Sequence, residues 1–527
     1  MKSRLPKLAH LDHAYVWHPF TQMRDWLKRE PIVIVSGDGA VLRDAGGREY
    51  LDANSSIWTN LHGHNHPGIN AAIQKQLGKI AHSSALGLAN EPASLLAERL
   101  VRSAECGMRN AECERRRLRI RNPQSAIRDP KLVRVFFSDD GATAMEVALK
   151  LAYEFARRVS GVRSPRFLSL HGAYHGDTVG AVSLGHIDLF HRAYAGLAFK
   201  SDSIMAPYCY RCPFNKAKPE RADARAYRKC NWECVRCVEK RFAKQKRRGK
   251  PYAAMVVEPL IQGAAGMIPQ PQGWLRQVTE IVRSNGAQLI ADEVMTGFGR
   301  AGQACGLTQS CHPHTTAASS SKKPSRLEHL GRQDACPTLF ACHHEGVQPD
   351  FLALAKGMTG GYLPMAATLT TREVFEAFLG EYEEFKTFFH GHSYTGNQLG
   401  AAAALANLEL LQTRVAIRRR AELERTLANL LLALWTLPNA GDIRQVGLIV
   451  GIELVEDWRT RKPFDSRRRV GARVCGAMAR RGVLTRPIGD VIVLMPPYCT
   501  TDEQAARMVW TLREAIREVL AGAANRD

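Results

Sequence analysis

The stretch VRVFFSDDGATAMEVALKLAYEFARR, residues 133–158, describes a strand, a turn and a helix in succession. Val133 to Phe137 is apolar, with β-branched and aromatic side chains, which is typical of a buried strand. The turn that follows opens a segment with helical spacing, Ala142 to Arg158. Four side chains share one face of that helix: Met145, Leu149, Ala152 and Ala156. A strand that leads directly into an amphipathic helix favours an α/β fold.

The same alternation of strands and helices continues along the chain. Short apolar runs predict further strands at Arg166–Leu170, Ala253–Val257, Gln288–Ala291 and Phe351–Ala355. Strands that are separated by helical segments usually pair in parallel, because parallel neighbours need a long crossover connection. We therefore predict an α/β fold whose large domain contains a mostly parallel central sheet.

A change of pattern near residue 413 indicates a second, smaller α/β domain. A helix is predicted over 416–436, and short strands are predicted near 447–455 and 491–495. The predicted division is an N-terminal segment that joins the small domain (1–54), the large domain (55–412) and the C-terminal small domain (413–527).

Three segments of the large domain have the composition of inserts. Residues 107–131 are rich in arginine, residues 209–250 are rich in cysteine and basic side chains, and residues 304–338 contain a low-complexity Ser/Lys/Pro run. Long segments without regular structure are unusual inside a compact domain. We expect all three to be surface loops, and the third to be partly disordered.

The excess positive charge of the chain is concentrated in two segments. The 527 residues carry a formal net charge of +22. Residues 109–134 hold nine Lys/Arg and three Asp/Glu, and residues 211–250 hold fifteen and four, so these segments supply 17 of the 22 net charges. Because the rest of the chain is nearly balanced, the two segments are interpreted as solvated surface, and a nucleic-acid partner is not expected.

The N-terminus and the hydropathy pattern indicate a cytoplasmic protein. Met1 to Phe20 has no apolar run of the kind found in signal peptides. No stretch reaches the roughly 18 uninterrupted apolar residues that a membrane span needs. We expect a cytoplasmic protein with no membrane association.

Five cysteines lie close together in the second insert: Cys209, Cys212, Cys230, Cys234 and Cys237. Their C-x2-C and C-x3-C-x2-C spacings could supply four thiolates to a zinc ion or an iron–sulfur cluster. The alternative is a cysteine-rich loop that binds no metal, and no metal is assigned from the sequence.

The turn Ser138–Thr143 is a candidate phosphate site. Gly141 allows close approach of the backbone, and the helix that follows offers free N–H groups at the positive end of its dipole. Phosphate groups bind at such helix N-termini. The alternative is an ordinary capped turn between a strand and a helix.

Two charged residues lie at the ends of predicted strands. Asp292 ends one strand, where a buried carboxylate needs a cationic partner such as a protonated pyridine nitrogen. Lys356 ends the next strand, where partial burial would favour its neutral amine and Schiff-base chemistry. The alternatives are an Asp satisfied by helix N–H groups or an arginine, and a lysine that reaches to solvent.

The loop HGAYHGDT, residues 171–178, supplies an aromatic ring beside these groups. The ring of Tyr174 could stack on a planar cofactor. The alternative is a glycine-rich loop with a buried tyrosine. Each of the four features is weak alone, and their order along the chain makes them specific.

Taken together, these motifs resemble those of the class III, fold-type-I aminotransferases that depend on pyridoxal 5'-phosphate (PLP). The resemblance runs from His18 to Pro497, apart from the three inserts. It is carried by Glu258-Pro259 with Gln262-Gly263, Asp292-Glu293-Val294 with Gly297-Phe298-Gly299-Arg300, and Lys356-Gly357 with Gly360-Gly361. It implies the PLP-dependent transferase fold type I and PLP as the cofactor.

Within the family, the chain resembles the branch that converts 8-amino-7-oxononanoate to 7,8-diaminononanoate in biotin synthesis. The motifs of that branch are Trp17–Thr21, Ser55–Trp58, His62–Pro67, Phe389–Ser393, Thr485–Pro487 and Leu494–Pro497. The resemblance implies S-adenosylmethionine as the amine donor by family default. Phe20 and Ile57, together with Phe388–Tyr394, look more like the branch that uses lysine. Asp140 stands where serine is common.

The resemblance also implies roles for individual residues. Lys356 would hold the cofactor and move a proton, Asp292 would pair with the pyridine nitrogen, and Tyr174 would lie near the ring. The implied phosphate and cofactor contacts are Gly141, Ala142, His392 and Ser393, with Ser393 reaching in from the other subunit of a homodimer. Arg486 would bind the substrate carboxylate. The implied substrate tunnel consists of Phe20, Ile57, Trp58, Tyr174 and Gly391.

Two other functions are compatible with the sequence. One is a class III aminotransferase that acts on a different ω-amino acid. The other is a metal- or nucleic-acid-binding protein built on an inactive aminotransferase scaffold, which would use the cysteines and the basic inserts. The presence of both Lys356 and Asp292 argues against an inactive scaffold.

Overall fold

The computed structural model describes residues 5–117, 130–303 and 337–521. Its strands are β1 (Ile34–Asp38), β2 (Val41–Asp44), β3 (Glu49–Asp52), β4 (Leu132–Ser138), β5 (Arg166–Leu170), β6 (Asp202–Ile204), β7 (Tyr252–Val257), β8 (Ile261–Gln262), β9 (Ile268–Pro269), β10 (Gln288–Asp292), β11 (Phe351–Leu354), β12 (Ala366–Thr371), β13 (Ala440–Val446), β14 (Ile449–Leu454), β15 (Val483–Leu484), β16 (Pro487–Ile488) and β17 (Val491–Leu494).

Its helices are α1 (Leu5–Tyr15), α2 (Met23–Trp26), α3 (Ser55–Trp58), α4 (Pro67–Leu77), α5 (Glu91–Arg117), α6 (Gly141–Arg158), α7 (Val179–Leu184), α8 (Asp188–His191), α9 (Ala224–Tyr227), α10 (Glu233–Arg247), α11 (Trp274–Ser284), α12 (Arg372–Glu376), α13 (Gln398–Gln412), α14 (Arg414–Leu431), α15 (Val470–Arg480) and α16 (Asp502–Ala521). None of the helices in these three ranges combines the length and the apolarity that a membrane crossing requires.

The central sheet has seven strands in the order β4-β12-β11-β10-β7-β5-β6. Only β12 runs antiparallel to its neighbours, and the other pairs are parallel. Strands β7, β10 and β11 are buried along their whole length, as expected for a sheet covered by helices on both faces. The prediction of an α/β fold with a mostly parallel central sheet is confirmed.

Strand β4 is an edge strand of this sheet, and helix α6, which follows it in the chain, packs against the sheet. The predicted helix face, with Met145, Leu149, Ala152 and Ala156, is buried against the sheet. Asp140 begins α6 with a capping box, in which its side chain accepts from the Thr143 amide while the Thr143 hydroxyl accepts from the Asp140 amide. Since β4 is antiparallel to β12 and β12 is antiparallel to β11, the carboxyl ends of β4, β10 and β11 meet at one edge.

A second hydrophobic core lies in the C-terminal part of the chain. There the sheet β13-β14-β17-β16 packs with α14, α15 and α16. The predicted helix over 416–436 corresponds to α14 and the short 3-10 turn after it. The N-terminal strands belong to another small sheet, in which β3 pairs in parallel with β15.

The insert 209–250 is not the surface loop that we expected. Its helix α10 buries Cys234, Val235, Val238 and Phe242 in the main hydrophobic core. The expectation was wrong because the cysteines and the dense positive charge obscure an amphipathic helix whose basic side chains lie on the opposite face. The first insert also differs, since residues 107–117 continue α5. Residues 118–129 and 304–336 lie outside the described residues.

Arginines of the second insert bind backbone carbonyls near and within β13, so this part of the insert is not the solvated surface that we expected. Arg221 donates to the carbonyl oxygens of Leu437 (2.8 Å) and Ala440 (2.7 Å). Arg225 donates to the Gln445 carbonyl at 2.8 Å. Helix C-termini and strand ends leave carbonyls without partners, and a guanidinium can satisfy two of them at once.

Candidate active site

A cavity of about 620 Å³ opens where the carboxyl ends of the central strands meet. This is the position at which open α/β sheets bind their ligands. Six of the residues singled out from the sequence line it: Trp58, Gly141, Ala142, Tyr174, Asp292 and Lys356. Tertiary structure therefore brings together the turn after β4, the end of β10 and the end of β11.

The other implied site residues do not line this cavity in the single chain. Phe20 lies beside it, with its ring centroid 6.4 Å from that of Tyr174. His392 reaches the rim through its Nδ1 atom, 3.4 Å from the carboxylate of Asp139, which lines the cavity. The remaining four residues are exposed to solvent: Ile57, Gly391, Ser393 and Arg486.

The N-terminus of α6 forms part of the cavity wall. A Cβ atom on Gly141 would come within 2.7 Å of Val294 Cγ1, so only glycine fits against that neighbour. The Asp140 carboxylate accepts a hydrogen bond from the Thr143 amide at 2.8 Å, deeper in the first turn. Gly141 and Ala142 line the cavity, and their amides have no acceptor within the helix because they belong to its first turn.

Asp292 is held by a histidine that we did not single out from the sequence. The Nδ1 atom of His175 lies 2.7 Å from Asp292 Oδ2, and both side chains are buried. Burial opposes the charged imidazolium, but the hydrogen bond and the charge of Asp292 outweigh it, so the pKa of His175 is raised. The only signal in the sequence was its position next to Tyr174, because the pairing depends on β10 reaching the same edge.

Lys356 also lines the cavity, just after the end of β11. Burial lowers the pKa of its ammonium group, while the carboxylates of Asp292 and Glu258 act in the other direction. Its Nζ atom lies 5.2 Å from the centroid of the Trp58 ring. The backbone φ of Lys356 is +43°, a strained value for a residue with a side chain, and it fits a lysine that is held in one direction.

Glu258 is a second buried acid at the cavity wall. Its carboxylate accepts from the amides of Gly263 at 2.7 Å and Tyr174 at 3.4 Å. Burial is the main influence on this group and raises its pKa to about 7. In the sequence Glu258 stands out only as part of the Glu258-Pro259 motif, because no local pattern indicates that its side chain lies at the cavity.

Tyr174 lines the cavity, and its hydroxyl is held by a second lining residue. The hydroxyl donates to Asp177 Oδ2 at 2.7 Å. Burial is the main cause that raises the pKa of this phenol, and the hydrogen bond to Asp177 adds to it. Tyr174 is therefore a neutral, fixed aromatic surface at neutral pH.

Trp58, which lines the cavity, belongs to a turn with left-handed backbone conformation. Four consecutive residues without glycine have positive φ values, Ser55, Ser56, Ile57 and Trp58. Such a conformation costs about 1–2 kcal/mol per residue. The turn is held by hydrogen bonds from Ser55 Oγ to the Met495 carbonyl (2.7 Å) and from Trp58 Nε1 to Asn54 Oδ1 (2.9 Å). Backbone strain of this kind concentrates at functional sites.

Comparison with known proteins agrees with this geometry. The family model described as "Aminotransferase class-III" matches residues 23–314 and 335–516. The adenosylmethionine-8-amino-7-oxononanoate aminotransferase of Nitratidesulfovibrio vulgaris is 44% identical over 98% of this chain and 82% of its own length. The protein of the same name from Geobacter sulfurreducens is 41% identical, with 98% of each chain covered.

Solved structures give the same result. The crystal structure of adenosylmethionine-8-amino-7-oxononanoate aminotransferase from Methanocaldococcus jannaschii aligns with a TM-score of 0.79 and 36% identity, covering 97% of this chain and 99% of that one. An amine transaminase from an uncultivated Pseudomonas species, solved in its PLP-bound form, aligns with a TM-score of 0.76 and 30% identity over 95% and 98%. The resemblance found in the motifs is confirmed, and the chain belongs to the class III aminotransferases.

Proposed function

We propose that this protein transfers an amino group from S-adenosylmethionine to 8-amino-7-oxononanoate, giving 7,8-diaminononanoate, with PLP as its cofactor. One observation carries the proposal. Lys356, Asp292 and the N-terminus of α6 converge on one cavity, in a chain whose relatives at 37–44% identity over nearly the full length carry that enzyme name.

The residues present fit PLP at each of its functional groups. The free amides of Gly141 and Ala142 at the start of an 18-residue helix suit a phosphate dianion. The Asp292 carboxylate suits a protonated ring nitrogen, and the Lys356 amine suits the aldehyde. Within the described residues, the buried Thr178 hydroxyl at the cavity wall has no hydrogen-bond partner, so it is free to contact a ligand there.

PLP, when bound, withdraws electrons from the substrate carbon that loses its proton. The protein supplies the remaining functions. Lys356 Nζ holds the cofactor and then carries the proton that leaves the substrate carbon. Asp292, held by His175, keeps a proton on the ring nitrogen. The side chains of Trp58 and Tyr174 line the cavity and would orient the reacting groups.

The substrate carboxylate is assigned to Arg486, because a guanidinium binds a carboxylate through two parallel hydrogen bonds. Phe20, Ile57, Trp58 and Gly391 are assigned to the tunnel that receives the aliphatic chain. Phe20 already contacts the aromatic wall of the cavity through Tyr174 and Phe190.

We further propose that the enzyme works as a homodimer with shared active sites. Leu86 and Leu88 are 91% and 62% exposed, and Phe389 and Tyr394 are 71% and 59% exposed. The two segments adjoin, since the His82 and Tyr394 rings lie 4.8 Å apart. Exposed apolar groups of this size mark interfaces. A second copy on this face would bring Ser393 to the partner's phosphate site, and light scattering of the purified enzyme tests the dimer.

The cellular setting that fits this chemistry is the cytoplasm, with small molecules as the partners. The distribution of charge supports it. Part of the positive charge of the second insert is used in contacts with the C-terminal domain, and therefore does not form a free surface for nucleic acid. Fractionation of the native cells tests this location.

The amine donor is tested by half-reactions. Holoenzyme mixed with S-adenosylmethionine alone is expected to lose the visible absorbance of its cofactor, and holoenzyme mixed with lysine alone is expected to keep it. Subsequent addition of 8-amino-7-oxononanoate should restore the absorbance and release 7,8-diaminononanoate, detected by mass spectrometry. A loss of absorbance with lysine alone would assign the donor to lysine instead, which Phe20 and Ile57 favour.

A second candidate function is transamination of simple ω-amines or ω-amino acids. It is favoured by the likeness to the solved amine transaminase at 30% identity. The two candidate functions are distinguished by the amino acceptor that the enzyme prefers. The proposed enzyme should have a kcat/KM for 8-amino-7-oxononanoate that is at least about 10²-fold above that for short aldehydes or keto acids, and a reversed preference would assign the protein to the second function.

Replacing Asp140 by serine is expected to tighten PLP binding. Serine can still cap the Thr143 amide, but the negative charge beside the phosphate is removed. The gain is about 1 kcal/mol, or about fivefold in Kd, measured by titrating apoenzyme with PLP. Asp140→Ala is the control, since it removes the same charge and also the cap, and should lower Tm. An unchanged or weaker Kd for Asp140→Ser would show that the carboxylate does not oppose the phosphate.

A further inference from the structure

The five cysteines of the second insert separate into two groups in the folded chain. Four of them line one small void of about 10 Å³: Cys209, Cys212, Cys230 and Cys234. Cys237 instead faces a different cavity, beside Lys240, Arg241 and Lys244. The helix α10 explains the separation, because residues three apart on a helix point in directions that differ by about 60°.

We propose that Cys209, Cys212, Cys230 and Cys234 form a structural zinc site. Four thiolates from two short chain segments are the ligand set of closed, tetrahedral zinc sites. The void has room for about one atom, so we propose a single zinc ion here and not an iron–sulfur cluster. None of the four cysteines lines the active-site cavity, so the ion would not take part in transamination.

Zinc binding requires the sulfurs to turn towards the void. No group of three potential ligands already stands at metal-ligand spacing in the part of the chain that the structure describes. Cys209 Sγ is directed to the Pro207 carbonyl at 3.9 Å, and Cys230 Sγ accepts from Arg228 Nη1 at 3.3 Å. Cysteine has three staggered χ1 positions, so rotation of side chains around the common void can gather the thiolates without refolding the insert.

The local charge suits such a site. Zinc with four thiolates carries two net negative charges, which are costly to bury without compensation. Arg228 lines the same void and already contacts one of the four sulfurs. The insert as a whole carries fifteen Lys/Arg against four Asp/Glu. This excess of positive charge would offset the charge of the zinc–thiolate centre.

The site would stabilise the segment that joins the two domains. Arg211, between two of the ligands, donates to Glu453 of β14 at 2.6 Å, and Tyr208 donates to the same carboxylate. Arg221 and Arg225, between the two pairs of ligands, bind carbonyls of the C-terminal domain. A zinc ion bound by Cys209, Cys212, Cys230 and Cys234 would link the two ends of this segment. It would thereby stabilise these hydrogen bonds, because bound metal stabilises only the folded arrangement.

Metal analysis of the purified holoenzyme tests the proposal. Elemental mass spectrometry should find one zinc per chain in the wild type and in Cys237→Ser. Cys212→Ser and Cys230→Ser should each lose most of the zinc, and their Tm should fall while the bound PLP absorbance per folded chain is unchanged. The pair Cys230→Ser and Cys237→Ser is matched, since both cysteines are half-buried thiols of the same insert.

A spectroscopic measurement avoids dependence on the variants. Zinc removed with an organomercurial and replaced by Co²⁺ should give the intense absorption of tetrahedral cobalt bound to thiolates, in the wild type and Cys237→Ser but not in Cys230→Ser. Wild-type protein without zinc that also fails to bind Co²⁺ would overturn the proposal. So would iron with acid-labile sulfide, or equal loss of metal in Cys237→Ser.

Discussion

Lys356→Ala is expected to abolish transamination, with kcat reduced by about 10³-fold or more. The lysine is assigned both the covalent attachment of PLP and the proton transfer, and no other lysine lines the cavity among the described residues. The variant should still bind PLP, because the contacts of the phosphate and the ring nitrogen remain. Its cofactor should be released by denaturation, and its absorbance should be that of unattached PLP.

The attachment itself can be measured without turnover. Borohydride reduction of the wild-type holoenzyme followed by peptide mass spectrometry should place the cofactor on Lys356, and Lys356→Arg should show no attachment although it keeps the positive charge. Because burial lowers the pKa of Lys356, its neutral amine is available at a lower pH than that of a solvent-exposed lysine. Apoenzyme should therefore attach PLP readily at neutral pH. Turnover retained in Lys356→Ala would refute the assigned role.

Asp292→Asn is expected to reduce kcat on the order of 10²-fold with a much smaller change in PLP affinity. A neutral amide cannot hold a proton on the ring nitrogen, so the cofactor withdraws electrons less strongly. The measurement is the rate of each half-reaction in single turnover, since the defect should appear in the proton-transfer step of both halves.

Asp350→Asn provides a matched control for this variant. Asp350 is another carboxylate of the central sheet, with a pKa raised by burial to about 6, and it accepts from the Leu289 amide at 2.7 Å. It precedes β11 and so lies at the edge opposite to Asp292. Its replacement should affect Tm but not the rate. If both variants lost the same fraction of kcat, the loss in Asp292→Asn would reflect a general disturbance of the central sheet and not the loss of the pair between Asp292 and the ring nitrogen of the cofactor.

His175 should behave as a positioning residue for Asp292. His175→Ala leaves the buried carboxylate without its hydrogen-bond partner at 2.7 Å. We expect an intermediate loss of kcat, because the Asp292 carboxylate is no longer held in place, and a changed pH profile, because an imidazole whose pKa is raised in the folded chain is removed. In the Asp292→Asn background the same replacement should have little further effect, since the two residues act through one interaction.

Features that depend on local periodicity were predictable from the sequence. The unit over 133–158 shows the period of a strand and then of a helix, and both elements occur where they were predicted. Asp292 and Lys356 follow apolar runs, and ends of parallel strands share one edge. Their meeting at one cavity could therefore be expected, although they lie far apart along the chain.

Features that depend on contacts between distant segments were not predictable. The pairing of His175 with Asp292 requires the loop after β5 to reach the end of β10. The folding of the second insert was missed because its charges and cysteines dominate the composition, whereas its apolar face finds a core only when the sheet is present. The left-handed turn at Ser55–Trp58 has no glycine to reveal it, and it persists through contacts with Met495 and Asn54.

The sequence by itself determined the α/β class, the two charged residues at strand ends and the turn that begins α6, because hydrophobic period and strand-end chemistry are local properties of a chain. Only the tertiary structure decided which side chains line one cavity and which cysteines line one void. It also decided which arginines of the second insert bind carbonyls near and within β13. These depend on the directions of side chains from separate elements, and packing of the whole chain sets those directions.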